Sequence, residues 1–169
     1  MPAPTATEPK KPAKARVPVC SRESTGDPFP DQALVRITGS SGRTNEKPRI
    51  GGGRWTWVNL WAAWCAPCKE ELPRLIRWQK SLGFRLHTIS VDDDERQLRT
   101  FLSDSSGPLE ASYWLPEGAP REEWLKSVGI APDPELPVQL LFNPKGKLRC
   151  VIQGAVEDQD LPRVTELVQ

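Results

Sequence analysis

Residues 55–68, WTWVNLWAAWCAPC, are the stretch of this sequence that decides the fold. The first half, from Trp55 to Trp61, is an almost continuous apolar and β-prone run, which is typical of a strand covered on both faces in a parallel or mixed sheet. After Cys68, apolar residues recur at intervals of three and four, which predicts an amphipathic helix ending at Gly83. Those apolar positions are Leu72, Leu75, Ile76, Trp78 and Leu82. The sequence therefore predicts a buried strand that leads through two cysteines into a helix.

Two cysteines three positions apart, Cys65 and Cys68, lie where this helix begins. A thiol in the first turn of a helix faces unpaired backbone N–H groups and the positive end of the helix dipole, which favour its thiolate form. We therefore expect Cys65 to be an exposed nucleophile and Cys68, less accessible, to be the thiol that resolves a mixed disulfide. Pro67 suits the first turn, because its missing N–H would have no partner there. The alternatives are an inert buried pair and half of a zinc site.

The rest of the chain alternates between strand and helix patterns. Phe84–Val91 has the pattern of a second buried strand, and the acidic run Asp92–Glu95 suits the N-terminus of a following helix. Two apolar runs, Pro137–Phe142 and Lys147–Gln153, flank a turn and predict an antiparallel hairpin. Further helices are predicted at Glu122–Val128 and Glu157–Val168. These patterns predict an α/β fold with a mixed parallel and antiparallel sheet.

One domain is expected, because 169 residues fall within the ordinary size of a single domain. Residues 1–32 are predicted to form a disordered Pro- and Ala-rich arm, and residues 33–169 the domain. Within the domain, a short strand at Leu34–Ile37 precedes a stretch predicted to consist of turns, Thr38–Gly53. The arm lacks the apolar centre of a signal peptide, so either the protein stays inside the cell or its export segment has been removed.

Composition excludes several classes of partner. Lys and Arg number 23 against 22 Asp and Glu, and a net charge of +1 provides no field that would attract nucleic acid or anionic lipid. No apolar run approaches the roughly 18 residues of a membrane-spanning helix. The four cysteines are too few for the disulfide scaffold of a small secreted protein. Nucleic acid is therefore not an expected partner. The close spacing of two of the cysteines instead indicates thiol chemistry.

The segment from Trp61 to Lys69, WAAWCAPCK, resembles the active-site segment of the thioredoxin superfamily. The flanking residues, VNLW before the motif and EELP after it, look most like those of the TlpA/ResA-type thiol-disulfide reductases of bacteria. This resemblance implies a thioredoxin-like α/β fold of three layers, in which a mixed sheet of about five strands lies between helices on both faces. The same resemblance implies an enzyme that exchanges disulfides through Cys65 and Cys68. It also implies that Glu71 assists proton transfer, and helical spacing independently puts Glu71 on the same face as Cys68. Asn59 stands where cytosolic thioredoxins have a buried carboxylate, which leaves Glu71 as the main proton acceptor.

A cis-proline facing the dithiol is the second feature that the resemblance implies, and Pro137 occupies its place. A cis X-Pro bond leaves Leu136 with free backbone groups that can pair with a substrate strand. Trp64, Pro67, Leu136 and Pro137 are thus expected to frame a substrate groove. The implied partners are protein thiols or disulfides and an upstream redox donor. The protein is expected to be a monomer and to need no metal or organic cofactor. The resemblance also implies a periplasmic or other extracytoplasmic location, with membrane contact only through a tether absent from this chain; a cytoplasmic location stays open.

Structural roles are favoured for the other cysteines and for the histidine, and the dithiol itself has two alternative functions. Cys150 alternates with apolar neighbours on one strand face, so a small buried side chain is favoured over a disulfide with Cys20. His87, the only histidine, is interpreted as a packing residue with no catalytic role. A Cu(I) carrier that holds the metal with two thiolates is the alternative function. A peroxiredoxin is disfavoured because Ala62, and not Thr, stands three residues before Cys65.

Overall fold

A computed structural model describes residues 19–24 and 26–169. Eight strands form one mixed sheet in the order β1-β8-β7-β4-β5-β6-β2-β3. The strands are β1 (Arg22–Glu23), β2 (Leu34–Thr38), β3 (Arg43–Glu46), β4 (Thr56–Trp61), β5 (Arg85–Ser90), β6 (Ala111–Trp114), β7 (Val138–Phe142) and β8 (Leu148–Gln153). The pairs β4–β5 and β5–β6 are parallel and every other pair is antiparallel. The predicted central strand is confirmed, because β4 lies inside the sheet and all six of its residues are buried.

Four helices cover the two faces of the sheet, α1 (Ala66–Leu82), α2 (Glu95–Leu102), α3 (Ala119–Ser127) and α4 (Leu161–Val168), the last preceded by a 3-10 turn at Asp158–Asp160. One apolar cluster joins Trp57 to Trp78 of α1 and Val164 of α4. A second cluster, which includes Val58, contains Leu98 of α2 and Leu125 of α3. Neighbouring residues of β4 therefore serve two cores, one on each face of the sheet, as a strand in the middle of three layers must. The predicted α/β fold with helices on both faces is confirmed.

Helix α1 ends where the sequence predicts, at Gly83, and it begins at Ala66, between the two cysteines, so that Cys68 lies in its first turn. Cys65 is its N-cap residue, and Pro67 lies in its first turn. Gly83 ends it with a φ of 77°, a left-handed conformation that glycine adopts without the steric cost of a Cβ atom. The backbone N–H of Gly83 donates to the carbonyl oxygen of Gln79. These two ends fix the position at which the dithiol meets the sheet.

The expected number of strands is wrong, because the described residues form eight strands where about five were predicted. Part of the stretch predicted as turns, Arg43–Glu46, forms β3 at the sheet edge. All four of its residues are exposed, so no apolar alternation reports the strand. The pair Arg22–Glu23 likewise forms β1 against β8, and both of its residues are exposed. Short polar edge strands of this kind escape a search for apolar periodicity.

Part of the segment predicted as an N-terminal arm makes contacts with the domain. Residues 1–18 of the predicted arm lie outside the described residues, but Val19 and Cys20 pack against the apolar cluster under α1 and α4. Cys20 is bonded to Cys150 of β8, and the guanidinium of Arg22 donates to the carbonyl oxygen of Val128 at 3.0 Å. The chain from residue 19 therefore contributes to the domain. In the part of the chain that the structure describes, no helix is both long and apolar enough to cross a bilayer.

Candidate active site

The Cys65–Cys68 disulfide lies where β4 has ended and α1 begins. The Cys65 Sγ accepts a hydrogen bond from the backbone N–H of Cys68 at 3.3 Å, so this sulfur takes up one of the unpaired N–H groups of the first helical turn. The backbone N–H of Lys69 donates to the Cys65 carbonyl oxygen at 3.2 Å and closes that turn. The helix N-terminus therefore meets the first cysteine with a hydrogen-bond donor, as the sequence predicts.

Neither sulfur is freely exposed in this oxidised state. Cys65 retains 4% of its accessible surface and Cys68 retains none. The expectation that Cys65 is exposed is therefore wrong for the disulfide form, because its sulfur is bonded to Cys68 and directed at the helix N-terminus. The order of accessibility is nevertheless the predicted one, since Cys65 is the less buried of the two.

Trp64, directly before the dithiol, is 61% exposed and is the only large apolar side chain exposed to this degree among the described residues. With Ala63 and Phe101 of α2 it lines an open groove rimmed by Arg96, Gln97 and Thr100. Pro67 is also exposed. An exposed indole beside a reactive disulfide leaves apolar surface available to a partner.

Glu71 is fully buried one helical turn after Cys68, and three donors surround its carboxylate. Asn59 Nδ2 and Gln139 Nε2 donate to its Oε1 atom, at 2.8 and 2.7 Å respectively. The backbone N–H of Val156 donates to Oε2 at 2.9 Å. Burial raises the pKa of Glu71, and the hydrogen bonds from Gln139, Val156 and Asn59 oppose that rise.

Sequence reasoning missed Gln139. It is a buried polar residue at the second position of the otherwise apolar strand VQLLF, and its side chain joins β7 to both β4 and α1. The available signal was the conflict between an amide side chain and four apolar neighbours, since buried polar groups need partners.

The Leu136–Pro137 peptide bond is cis and lies at the start of β7. Val138, the next residue, pairs with Leu60 near the end of β4. Because β4 runs toward the dithiol and β7 runs antiparallel to it, the cis bond lies at the same end of the sheet as Cys65 and Cys68. Leu136 is half-buried and packs against the apolar cluster that contains both cysteines.

Asp92 is a second buried carboxylate at this end of the sheet, and the sequence interpretation did not separate it from its acidic neighbours. Its Oδ1 and Oδ2 each lie 3.0 Å from the backbone nitrogen of Ala63, and Ser90 Oγ donates to Oδ2 at 2.6 Å. Burial is the main cause that raises the pKa of Asp92. The helix cap predicted for this acidic run is Asp94, whose side chain accepts from the Arg96 N–H. Asp92 instead fixes the loop that carries the dithiol.

The remaining candidates take no part in this arrangement. His87 Nε2 lies 3.0 Å from the carbonyl oxygen of Arg49, and the imidazole packs edge-on against Tyr113. Within residues 19–24 and 26–169, no three His, Cys, Asp or Glu side chains cluster as metal ligands would.

Cys20 and Cys150 form a disulfide 130 residues apart in sequence, so the preference for an unbonded Cys150 is wrong. The apolar neighbours of Cys150 on β8 were explained equally well by a small buried side chain, so the sequence pattern did not indicate the disulfide.

The fold and this site define a class, that of thioredoxin-like proteins with a Cys-x-x-Cys disulfide at the N-terminus of the helix after the central strand. The chain belongs to the AhpC/TSA family, whose model matches residues 25–153. That match includes the dithiol, Glu71 and Pro137. The resemblance to the thioredoxin superfamily stated from the WAAWCAPCK segment is thereby confirmed.

Named relatives share part of the chain. It is 25% identical over 135 residues to the thiol-disulfide oxidoreductase ResA of Oceanobacillus iheyensis, which covers 78% of this chain and 66% of that protein. It is 36% identical over 112 residues to the thiol:disulfide interchange protein DsbE homolog of Paracoccus denitrificans, which covers 65% and 57%. The chain thus spans 66% of the length of the first of these relatives and 57% of the second.

A solved structure supports the fold. A thiol:disulfide interchange protein of the thioredoxin family from Chlorobium tepidum matches with a TM-score of 0.57 and 19% identity, covering 86% of this chain and 99% of that one. At such low identity the likeness concerns the fold alone.

Proposed function

We propose that this protein is a thiol-disulfide oxidoreductase that reduces protein disulfides through Cys65 and Cys68. The observation that carries the proposal is the hydrogen bond from the Cys68 N–H to the Cys65 sulfur at the first turn of α1. A donor in that position stabilises negative charge on the sulfur once the disulfide is reduced. The names of the ResA and DsbE relatives point to the same chemistry.

The proposed reaction transfers two electrons from the protein to its substrate. The Cys65 thiolate attacks one sulfur of a substrate disulfide, forms a mixed disulfide and releases the other substrate sulfur as a thiolate. Cys68 then loses its proton and attacks the Cys65 sulfur, which releases the second substrate thiolate. The substrate ends as a dithiol and the protein as the Cys65–Cys68 disulfide, the state of this structure. An upstream dithiol donor returns the protein to its reduced form.

Glu71 is the proposed acceptor of the Cys68 proton. It follows Cys68 by one helical turn, and both side chains are fully buried, so bulk water does not serve this proton directly. Burial raises the pKa of Glu71 and brings it closer to the operating pH, which suits a group that both takes up and releases a proton. A carboxylate exposed to solvent would hold a proton too weakly for this role.

The proposed substrate groove lies between the dithiol loop and the start of β7. Trp64 and Pro67 are exposed on one side, and Leu136 with Pro137 forms the other. An extended substrate segment would add its backbone to that of Leu136 and bring its disulfide to Cys65. The apolar surface of Trp64 favours a partially unfolded protein whose cysteine has apolar neighbours.

An extracytoplasmic location completes the proposal. A second disulfide between Cys20 and Cys150 joins segments 130 residues apart, and bonds of this kind persist in oxidising compartments. The physiological partners would then be exported proteins with disulfides and a donor that supplies electrons to the same compartment.

An insulin-reduction assay tests the activity. With dithiothreitol as the donor, the wild-type protein should accelerate insulin precipitation, and Cys65→Ser should abolish the acceleration. Cys68→Ser should also stop turnover, because the mixed disulfide cannot be resolved. A thiol-based Cu(I) carrier would show no turnover that either substitution removes, and that outcome would overturn the proposal.

A further inference from the structure

Trp57 lies in β4 two residues before Asn59, and its indole faces the hydrogen bonds around Glu71. Trp57 Nε1 donates to Gln139 Oε1 at 2.9 Å, and Asn59 Nδ2 donates to the same oxygen at 2.8 Å. Gln139 Nε2 in turn donates to Glu71 Oε1 at 2.7 Å. All four side chains are buried, so water does not complete or reorganise this chain of contacts.

The indole fixes the direction of the hydrogen bonds that join Gln139 to Asn59 and to Glu71. Gln139 Nε2 also lies 3.4 Å from the carbonyl oxygen of Gly154, a longer contact that favours the same orientation. An indole N–H can donate but cannot accept, so the Gln139 atom that faces Trp57 must be the carbonyl oxygen. The Gln139 nitrogen is then directed at Glu71. Because the Gln139 oxygen also lies 2.8 Å from the Asn59 amide, Asn59 must present its nitrogen there as well. One donor on Trp57 therefore orients two amide groups.

This orientation matches the carboxylate form of Glu71 and not the protonated form. Each group within hydrogen-bond distance of its oxygens is a donor, namely Asn59 Nδ2, Gln139 Nε2 and the Val156 N–H. A protonated Glu71 would need an acceptor for its O–H, and none of these three supplies one. The donors therefore stabilise negative charge on Glu71 against the cost of burial.

Asn59 Oδ1 shows what this orientation costs. It is buried and has no hydrogen-bond partner among the described residues. Turning the Asn59 amide over would direct this oxygen at Glu71, where it could accept a proton, but would also place it against the Gln139 oxygen. That conflict disappears only if Gln139 turns over too, and then Trp57 Nε1 loses its acceptor.

We propose that Trp57 is a positioning residue that, through Gln139, holds the hydrogen bonds around Glu71 in the arrangement that favours the carboxylate. The proposal rests on the proposed function, in which Glu71 exchanges a proton with Cys68. Among the described residues of β4 and β7, the side chains that hydrogen-bond to Glu71 are the amides of Asn59 and Gln139, and the Trp57 indole reaches Gln139. Charge reaches Glu71 from Arg74 on α1, whose guanidinium pairs with Glu157 and Asp158. Trp57 therefore acts on Glu71 by hydrogen-bond direction and not by charge.

Carbon-13 NMR of the Glu71 carboxyl in the oxidised protein tests this proposal. The Glu71 resonance is identified by its loss in Glu71→Gln, and its pH titration is compared between wild type, Trp57→Phe and Trp78→Phe. Trp78 packs against Trp57 in the same apolar cluster at 6.1 Å and takes no part in these hydrogen bonds, so it is the matched control.

Trp57→Phe removes the 2.9 Å contact that holds Gln139 Oε1 and leaves the weaker 3.4 Å contact of Gln139 Nε2 with the Gly154 carbonyl oxygen, so the two amides can turn over and offer Glu71 an acceptor. The titration midpoint should therefore move to higher pH by about one pH unit, as expected for the loss of one hydrogen bond to a charged group. Trp78→Phe should leave the midpoint unchanged. Gln139→Met, which removes a donor outright, should also raise it. Equal midpoints in the two tryptophan variants, or a lower midpoint in Trp57→Phe, would overturn the proposal.

A measurement on the wild-type protein tests the same proposal without a substitution, in case a variant does not fold. The indole N–H resonance of Trp57 should shift with the same midpoint as the Glu71 carboxyl, whereas that of Trp78 should not. A Trp57 indole N–H chemical shift that does not change over the pH range in which Glu71 titrates would contradict the proposal. None of these titrations needs catalytic turnover. Failure of the wild-type protein to reduce insulin would overturn the proposed function, whereas an unchanged Glu71 midpoint in Trp57→Phe would overturn only the role of Trp57.

Discussion

Asp92 binds the backbone N–H of Ala63 with both oxygens of its carboxylate, each 3.0 Å from the nitrogen. Ala63 lies two residues before Cys65, and Asp92 lies just beyond the end of β5. The side chain is fully buried, and Ser90 Oγ donates to it at 2.6 Å. This contact ties the loop that carries the dithiol to the sheet, so the position of Cys65 depends on a carboxylate in the neighbouring strand connection.

Removing that carboxylate should disturb both stability and exchange. In Asp92→Ala the Ala63 N–H loses a charged acceptor in a buried position, and we expect the free energy of unfolding to fall by about 2 kcal/mol. Insulin reduction should slow about tenfold, because a misplaced nucleophile loses much of its rate. Urea denaturation and the insulin assay measure the two effects. Asp93→Ala is the control, since Asp93 is exposed and pairs with Arg121 at the surface; equal losses in both variants would contradict this role.

Glu71 should make stability depend on pH in a defined direction. Burial raises its pKa in the folded protein above the ordinary value of 4.5, so the folded state holds a proton that the unfolded state has already lost. The free energy of unfolding should therefore fall as pH rises from about 4.5 until the folded-state pKa is passed. Asp92, whose pKa is also raised by burial, contributes with the same sign.

Glu71→Gln should make that decline shallower, because the substituted side chain does not titrate. Urea denaturation at a series of pH values from 4 upward, at about half-unit steps, measures the slope. Glu70→Gln is the matched control, since Glu70 is the exposed neighbour on the same helix and should retain the wild-type slope. A Glu71→Gln profile parallel to that of the wild type would show that Glu71 does not carry the raised pKa.

The Cys20–Cys150 disulfide should stabilise the fold without taking part in exchange. It closes a loop of 130 residues, and removing a native disulfide costs about 2–5 kcal/mol. The double substitution Cys20→Ala with Cys150→Ala should lower the free energy of unfolding by this amount and leave insulin reduction near the wild-type rate. A folded double variant that no longer reduces insulin would mean that the second pair belongs to the chemistry.

Trp64→Ala should separate substrate binding from stability. The side chain is largely exposed, so its loss should change the free energy of unfolding by less than about 0.5 kcal/mol. The KM for a protein disulfide should rise severalfold, because the apolar surface beside Cys65 is removed. The rate with oxidised glutathione, which has no apolar side chains to place there, should change little. An equal effect on both substrates would argue that Trp64 acts on the dithiol itself.

The apolar patterns of the sequence were sufficient for the parts of the fold that bury apolar surface. The run from Trp55 to Trp61 predicts β4 because all six residues of that strand are buried, and the spacing of Leu72, Leu75 and Trp78 predicts the face of α1 that packs on it. The Cys-x-x-Cys motif predicts a dithiol between a strand and a helix, and Cys65 and Cys68 lie at the junction of β4 and α1.

Features that depend on contacts distant in sequence could not be predicted in this way. Arg43–Glu46 forms an edge strand without any apolar side chain in contact with the core, so its sequence resembles a turn. Asp92 looked like one acid of a helix cap, because only the folded chain brings it to Ala63, 29 residues away. Gln139 and Trp57 are joined across 82 residues by a single hydrogen bond. Polar contacts of this kind leave no periodic pattern in a single sequence.

The central claim is that Cys65 attacks the substrate and Cys68 resolves the mixed disulfide, and trapping the intermediate tests it most directly. Reduced Cys68→Ser and Cys65→Ser variants are mixed with insulin, quenched with acid and mapped by mass spectrometry after digestion. Cys68→Ser should accumulate a covalent adduct through Cys65, whereas Cys65→Ser should give almost none through Cys68. Adducts formed mainly through Cys68, or in neither variant, would contradict the account.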